Sequence, residues 1–276
     1  MDSPHLPTAR VVTAEPPRAI VKKAILLAAG VGDRLQPFTQ EFPKCLVPVN
    51  GVPIIVNALT HLSAVGVTEA VIVVGHHKEK LYERFGDTFE DMKITYIESK
   101  DFASTNNIYS LWLARDHLDE DVFLLEADVF FESALLEKML EHESGSLAAV
   151  SQHQPWMSGA VVSLSKSGNI QALMDAREQG PDFDYSKVYK TVNIYLFQKE
   201  FLRRYFLPHL EAYIASGDVN EYYEVILHAM AHRVDRQLGA VQCDDTRWYE
   251  IDDENDRLAA EYLFSTQERR YELIAD

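Results

Sequence analysis

The residues of this chain that could bind phosphate are concentrated in one short segment, residues 26–47. Within it, a short apolar run leads directly into a glycine-bearing turn at residues 30–34, GVGDR. Glycine lets a backbone bend sharply and approach a ligand closely, so such a turn can direct several N–H groups at an anion. Arg34 adds a planar fork of donors, and Lys44 adds a compact second cation. The segment therefore predicts a polyphosphate site.

The glycine turn matches neither of two better-known phosphate loops. A Walker loop requires Gly-Lys-Ser/Thr, and a Rossmann loop requires a third glycine where this chain has Leu35. A strand–turn–helix with two surface cations is the structural alternative. The candidate nucleotide-binding residues on this segment are Leu27, Ala28, Ala29, Gly30 and Gly32.

Two aspartates that follow apolar runs are candidate metal ligands. Asp128 closes the run at residues 122–127, and Asp252 closes the string WYEI. Mg²⁺ takes one or two carboxylates together with substrate phosphates, so a pair of this kind suits it. The alternative is that each aspartate caps the following helix, and Asp253 competes with Asp252 for both roles.

Short apolar strands alternate with helices along the first half of the chain. Strands are predicted at 24–29, 70–75, 93–97 and 122–127, with helices at 53–65 and 105–117. This alternation predicts an α/β fold: a doubly wound, mostly parallel, Rossmann-like sheet with helices on both faces and a smaller acceptor-side β/α lobe. Ligands of such sheets bind at the carboxyl ends of the strands. The glycine turn and both aspartates follow strand ends.

Composition divides the chain into a leader, one large domain and a tail. The leader holds four of the eleven prolines and has no apolar periodicity. The predicted parts are a flexible leader (1–21), a single domain (22–264) and a C-terminal tail (265–276). Within the domain we predict a nucleotide half (22–150), an acceptor half (151–245) and a metal-ligand strand and helix (246–264).

Charge and cysteine content exclude several classes of partner. The net charge of −17 argues against a nucleic-acid partner, which would favour a basic surface. No run approaches the length of a membrane span, so no membrane partner is expected. The two cysteines have neither metal-ligand nor disulfide spacing, which favours a reduced cytoplasm. A homodimer remains open.

The string LAAGxGxRL at residues 27–35, followed by Pro43-Lys44, resembles the signature of the nucleotidyltransferases that activate phosphorylated small molecules with a nucleoside triphosphate. Within that superfamily, the chain is most similar to the bacterial phosphocholine and phosphonate cytidylyltransferases, over roughly residues 22–264. The similarity is strong at 26–47, fair at 104–128 and 248–252, and faint between 150 and 245. Asp33 departs from the family, which usually has Ser or Thr there.

This resemblance implies CTP as the nucleotide, Mg²⁺ as the cofactor, and Asp128 and Asp252 as its ligands. In the segment STNNIYSL (104–111), it places Ser104, Thr105 and Asn106 near the ribose or the base. Helix capping explains these residues equally well. Sugar nucleotidyltransferases typically differ in this segment, which favours a small phosphorylated acceptor and makes Tyr109 a candidate acceptor contact.

The candidate acceptor residues of the second half are Lys190, Asn193 and Trp156. Lys190 is the candidate cation for the acceptor's phosphoryl group. Because Lys190 and Asn193 lie three residues apart on a predicted strand (188–197), only one can face the site unless a bulge intervenes. Trp156, Tyr185 and Tyr189 form either an aromatic wall suited to a quaternary ammonium or part of the core.

The resulting hypothesis is a Mg²⁺-dependent cytidylyltransferase that transfers CMP from CTP to the phosphate or phosphonate of a small molecule and releases pyrophosphate. Arg34 and Lys44 are its candidate catalytic residues. Two alternatives remain open: a sugar-1-phosphate nucleotidylyltransferase, and a catalytically inactive nucleotide-binding homologue.

Overall fold

The computed structural model describes residues 20–142, 145–231 and 238–265. Nearly all of the predicted leader and tail lies outside these ranges. The strands are β1 (Lys23–Ala28), β2 (Pro48–Val49), β3 (Val52–Pro53), β4 (Glu69–Val74), β5 (Thr88–Phe89), β6 (Met92–Glu98), β7 (Val122–Glu126), β8 (Val129–Phe131), β9 (Ser146–Gln152), β10 (Val161–Leu164), β11 (Ile170–Met174), β12 (Tyr189–Phe197), β13 (Leu238–Gln242) and β14 (Trp248–Glu250). The helices are α1 (Ile54–Ala64), α2 (Lys78–Phe85), α3 (Asn107–Leu113), α4 (Ala134–Glu141), α5 (Lys199–Phe201), α6 (Leu207–Ala215), α7 (Glu224–Ala231) and α8 (Glu254–Leu263).

The centre of the molecule is a parallel sheet in the order β7-β1-β4-β6. β1, β4 and β7 are almost entirely buried because both faces of the sheet are covered. Residues 24, 26 and 28 of β1 pack with α1, α2 and α4, whereas residues 25 and 27 pack with α3, α6 and α7. Burial of consecutive residues is typical of parallel sheets between helical layers. The α/β fold with a parallel central sheet is confirmed.

The second half of the chain extends this sheet with antiparallel strands. β12 pairs antiparallel with β7 and β9, and its first residues also pair with β10. The register between β12 and β9 shifts between Thr191 and Tyr195, where Asn193 has a φ of 60°. β12 is therefore bulged. At a bulge, residues that are an odd number of positions apart can face the same side of the sheet.

A separate two-stranded ribbon joins β8 to β14. β8 follows the end of β7, and β14 leads to the start of α8. A small apolar cluster holds this ribbon, the glycine loop and α8 together; its buried members are Leu35, Val47, Val49, Ile54, Phe130, Ile251 and Ala260. Leu35, which occupies the third Rossmann position, is thus an anchor of the loop.

Two further sequence-based expectations concern the described residues. Cys45 and Cys243 are both buried free thiols, in agreement with the prediction that they form no disulfide. Among the described residues, none of the helices combines the length and the apolar character needed to span a bilayer.

Candidate active site

The glycine turn after β1 forms one wall of the site. Gly32 has a φ of 71°, a left-handed conformation that side chains disfavour. A Cβ atom at this position would lie 2.9 Å from Cβ of Lys44, closer than such atoms normally approach. Gly32 therefore lets the turn and the lysine pack together.

Lys44 bridges the two aspartates that the sequence singled out. Its Nζ lies 2.7 Å from Oδ2 of Asp128 and 2.8 Å from Oδ1 of Asp252. Arg34 adds a second cation, with Nη2 3.0 Å from the same Asp252 oxygen. The structure thus brings together the four predicted catalytic and metal-binding residues, which span 218 positions of the sequence.

The charges of this cluster stabilise one another. Burial alone would lower the pKa of Lys44, but the two carboxylates raise it above its usual value. Burial would raise the pKa of Asp252, but the Lys44 ammonium and the Arg34 guanidinium hold it below its usual value. Lys44 and Asp252 are therefore both charged near neutral pH.

The strand that positions Asp252 differs from the one that the sequence pattern predicts. We expected its strand to end at the carboxyl edge of the parallel sheet. β14 instead belongs to the ribbon with β8, which follows Asp128 directly. The Ile251 amide donates to the Asp128 carbonyl at 2.9 Å, so the two aspartates emerge side by side.

Asp253 lies at the N-terminus of α8. Its Oδ1 accepts from the amides of Asn255 and Asp256, and the Asp256 carboxylate accepts from the Asp253 amide in return. This reciprocal arrangement is a capping box. The side chain of Asp253 is therefore engaged with the helix, whereas that of Asp252 faces Lys44.

The donor atoms at this point fit a hard divalent cation. Oδ1 of Asp128 is buried and has no hydrogen-bond partner among the described residues. The described residues contain no group of three or more His, Cys, Asp or Glu side chains arranged around a metal position. The protein thus offers two carboxylates, which suits Mg²⁺, an ion that completes its shell with phosphate oxygens and water.

A cavity of about 520 Å³ opens beside the glycine turn. It contains every predicted nucleotide-binding residue except Ser104, and Asp33 also lines it. Its lining residues are Leu27, Ala28, Ala29, Gly30, Gly32, Asp33, Arg34, Lys44, Cys45, Phe102, Thr105, Asn106, Asn107, Ser110, Glu126, Ala127, Asp128 and Tyr222.

The segment at the start of α3 has clear structural roles. Oδ1 of Asn106 accepts from the Asn107 amide, and the Ser104 and Thr105 hydroxyls donate to the Asp101 carbonyl. The helix begins at Asn107 rather than near Thr105 as predicted. Capping therefore explains Asn106, although Thr105 and Asn106 also line the cavity.

A second cavity, of about 500 Å³, adjoins the first on the side of the acceptor half. Arg34, Glu126, Asp128 and Tyr222 line both cavities. The second is rich in charge. Its charged lining residues are Glu126, Asp128, Asp175, Glu221, Glu224, Glu250, Asp252, Arg34, Arg177 and Lys190.

The bulge in β12 directs Lys190 and Asn193 to the same partner. Nζ of Lys190 lies 3.0 Å from Oε2 of Glu250, and Nδ2 of Asn193 lies 3.1 Å from Oε1. Lys190 is 1% exposed and also donates to the Thr191 carbonyl at 2.7 Å. Both residues line the second cavity, but the charge of Lys190 is already balanced by a buried ion pair.

The predicted aromatic contacts are dispersed. Trp156 is 65% exposed and lines a small pocket with Lys190 and Trp248. Tyr185 stacks on His153 with ring centroids 4.0 Å apart, and Tyr189 packs against the core. Tyr109 stacks on Trp112 and lines neither of the two large cavities. The described rings therefore form no aromatic wall around the second cavity.

Two buried glutamates of the second cavity escaped the sequence analysis. Glu126 accepts from Nδ2 of Asn107 at 3.2 Å and from the Tyr223 hydroxyl at 3.0 Å. Glu224, the first residue of α7, is 7% exposed. The available signal was the unusual placement of Glu126 within an apolar strand; nothing local distinguishes Glu224.

Residues 24–232 match the protein family described as the MobA-like NTP transferase domain. Over 258 residues, or 94% of its length, the chain is 38% identical to the CMP-5'-(3-aminopropyl)phosphonate synthase of Streptomyces rubellomurinus. Over 109 residues, or 38% of its length, it is 37% identical to the choline-phosphate cytidylyltransferase of Streptococcus pneumoniae. These alignments cover 41% and 44% of the two relatives, so the chain matches less than half of each.

The fold also resembles solved structures of nucleotidyltransferases. The CTP:phosphocholine cytidylyltransferase from Streptococcus pneumoniae superposes with a TM-score of 0.73 at 22% identity, covering 89% of this chain and 100% of that one. The inositol-1-phosphate CTP transferase from T. maritima superposes with a TM-score of 0.67 at 20% identity, covering 94% and 96%. At this level of identity, the likeness concerns the fold.

Proposed function

Because this chain belongs to the MobA-like NTP transferase domain family, we propose that it transfers CMP from CTP to the phosphate or phosphonate group of a small molecule and releases pyrophosphate. The observation that carries the proposal is the convergence of Arg34, Lys44, Asp128 and Asp252 where the two cavities meet. The similarity to a CMP-aminoalkylphosphonate synthase over 94% of the chain supports CTP as the donor and a phosphonate as the acceptor.

The reaction forms one oxygen–phosphorus bond and breaks another. An anionic oxygen of the acceptor attacks the α-phosphorus of CTP, and the bond between that phosphorus and the bridging oxygen of pyrophosphate breaks. The nucleophile is already ionised, so no general base is required. Catalysis then depends on positioning and on neutralising charge as it moves, as in phosphoryl transfer generally.

Each residue of the cluster has a role in this scheme. The amides of the glycine turn and the exposed guanidinium of Arg34 hold the phosphates that leave. Lys44 neutralises the α-phosphate and the approaching oxygen. Because Lys44 is fixed between two carboxylates, it is held in place before the substrates arrive, which lowers the reorganisation needed in the transition state.

Asp128 and Asp252 are the residues that would hold Mg²⁺. The unpartnered Oδ1 of Asp128 supports this role. A bound Mg²⁺ would neutralise the charge on the phosphate oxygens and align them. It would also offset the field of a chain whose net charge is −17.

The test is a product assay that pairs each of the four nucleoside triphosphates with several acceptors. The acceptors are 2-aminoethylphosphonate, 3-aminopropylphosphonate, phosphocholine and glucose 1-phosphate, and ³¹P NMR detects the CMP-linked product and pyrophosphate. We expect product with CTP and a compact phosphonate or phosphomonoester. Efficient use of glucose 1-phosphate would support the sugar nucleotidyltransferase alternative. Saturable CTP binding with no product from any acceptor would identify an inactive homologue.

A further inference from the structure

Glu224 lines the second cavity and has an unsatisfied carboxylate oxygen. The residue is 7% exposed, lines the cavity, and has no hydrogen-bond partner at Oε2 among the described residues. A buried carboxylate oxygen without a hydrogen-bond donor is unfavourable, because it has lost its contacts with water and gained none in exchange. Such an atom is stabilised by a hydrogen-bond donor, and the described residues of the protein supply none.

The other carboxylates of this cavity already have donors within the protein. Asp175 and Glu221 share the guanidinium of Arg177, at 2.7 and 2.8 Å. Glu250 is paired with Lys190 and accepts from Asn193.

Glu126 accepts from Asn107 and Tyr223. Asp128 and Asp252 meet Lys44. Among the described residues that line this cavity, Oδ1 of Asp128 and Oε2 of Glu224 are therefore the two buried carboxylate oxygens without a hydrogen-bond partner.

The geometry points to a specificity residue: we propose that Glu224 binds a primary ammonium group of the acceptor. This inference rests on the proposed function, because it concerns the acceptor of that same reaction. The acceptor is then a zwitterion whose anionic group lies toward Arg34 and Lys44 and whose ammonium group lies toward Glu224.

The lining of the cavity favours a primary over a quaternary ammonium. A primary ammonium donates three hydrogen bonds, which a carboxylate accepts strongly, whereas a quaternary ammonium donates none. Quaternary ammonium groups are instead held by aromatic cages. Among the described residues that line this cavity, Tyr222 is the one aromatic side chain, and it is half-exposed.

Burial and the neighbouring charges set the electrostatic state of Glu224. Burial raises its pKa to about 7, and the Lys190 ammonium offsets only part of that effect. A cation bound at Oε2 would restore the charged form by supplying the missing interaction.

The experiment measures kcat/KM of the full chain with CTP and three acceptors of equal chain length: an aminoalkylphosphonate, its N,N,N-trimethyl analogue and the plain alkylphosphonate. We expect the primary amine to exceed both analogues by about 10- to 100-fold, the worth of a charge-assisted hydrogen bond. Glu224→Gln should lower kcat/KM for the amine by a similar factor, mainly through KM, and change the alkylphosphonate less than about threefold. Glu211→Gln, an exposed glutamate of α6, is the matched control and should change none of the three.

Equal use of the amine and the alkylphosphonate by the native enzyme would overturn the inference, as would a preference for the trimethyl analogue. These comparisons need no variant, so they decide the matter even if Glu224→Gln does not fold. If all the phosphonates react and Glu224→Gln changes them equally, the residue has a structural role and the inference fails. CMP transfer to none of the phosphonates would overturn the inference, and the proposed function would fail with it if phosphocholine and the other phosphomonoesters gave no product either.

Discussion

The two cavities that meet at Arg34 and Asp128 differ in how their residues are held. On the nucleotide side, the turn is contiguous in sequence, and its cation Arg34 has a side chain that is 67% exposed. On the acceptor side, the charged residues come from β7, β12, β14, α7 and the segments between them, and Lys190 and Glu224 are almost fully buried. The phosphate-binding wall of the first cavity is one loop at the end of one strand, whereas the charged lining of the second cavity is assembled from distant segments.

This difference predicts different responses to mutation. Residues of an exposed loop can change without disturbing the fold, so their substitution should affect binding or turnover alone. Removing one partner of a buried ion pair leaves an uncompensated charge and also destabilises the protein. The predictions below separate the two regions by measuring stability beside activity.

The largest effect should come from Asp128 and Asp252, the two aspartates that contact Lys44. Asp128→Asn and Asp252→Asn should each lower kcat by about 10³-fold or more and raise the Mg²⁺ concentration needed for half-maximal rate. Steady-state rates across a Mg²⁺ titration measure both effects. Asp253→Asn is the control and should be near wild type, because asparagine caps a helix as well as aspartate. An inactive Asp253→Asn beside an active Asp252→Asn would reverse the assignment.

Lys44→Met should lower kcat by about 10²- to 10³-fold with little change in KM for CTP. The reason is that charge on the transferred phosphorus group changes during the reaction, so a fixed cation acts mainly on the transition state. Lys138→Met, which removes a surface ion pair with Asp245, is the matched control. A deficit confined to KM for CTP would assign Lys44 to ground-state binding.

Lys190→Met should show that substitutions on the acceptor side lower stability as well as activity. It leaves Glu250 without its cation, and we expect the free energy of unfolding to fall by about 3–5 kcal/mol. The double variant with Glu250→Gln should recover much of that loss, measured by urea denaturation. A stable Lys190→Met protein with only a raised acceptor KM would instead favour the direct contact with the acceptor that the sequence predicted.

Arg34→Ala should raise KM for CTP by about tenfold and leave the melting temperature within a degree or two, because its guanidinium is exposed and its ion pair is screened by water. Calorimetric titration with CTP in the absence of acceptor measures the binding part. A large loss of stability in this variant would show that residues of the two cavities do not differ in their contribution to the stability of the fold.

The smallest effect concerns stability and pH. Burial raises the pKa of Glu224 to about 7 from 4.5, so the folded state holds a proton that the unfolded state loses between these values. The wild-type protein should therefore lose stability as pH rises from about 5 to 7.5, and Glu224→Gln should lose less. The charged and titratable groups around Glu224 include Glu126, Lys190, Tyr195, Tyr223 and Glu250. Melting temperatures of the two proteins measured from pH 5 to 8 test this, and a constant difference would contradict it.

Much of the nucleotide side could be predicted from the sequence because its signals are local. An apolar run of strand length, two glycines and two cations within 22 residues were enough to place a phosphate site at the end of β1. Asp128 followed from the same logic, since it closes the buried strand next to β1. Hydrophobic periodicity and turn formation depend on residues that are close together in the sequence. Both can therefore be recognised from the sequence itself.

The arrangement of residues on the acceptor side depends on tertiary structure. Whether Lys190 and Asn193 share a face depended on a bulge at φ 60°, and strand alternation gave no sign of it. Asp252 reached Lys44 through the ribbon with β8, and Glu224 became a buried carboxylate only when α7 packed beside β7 and β12. Pairings between distant segments depend on the packing of the whole fold, and no single stretch of sequence carries them.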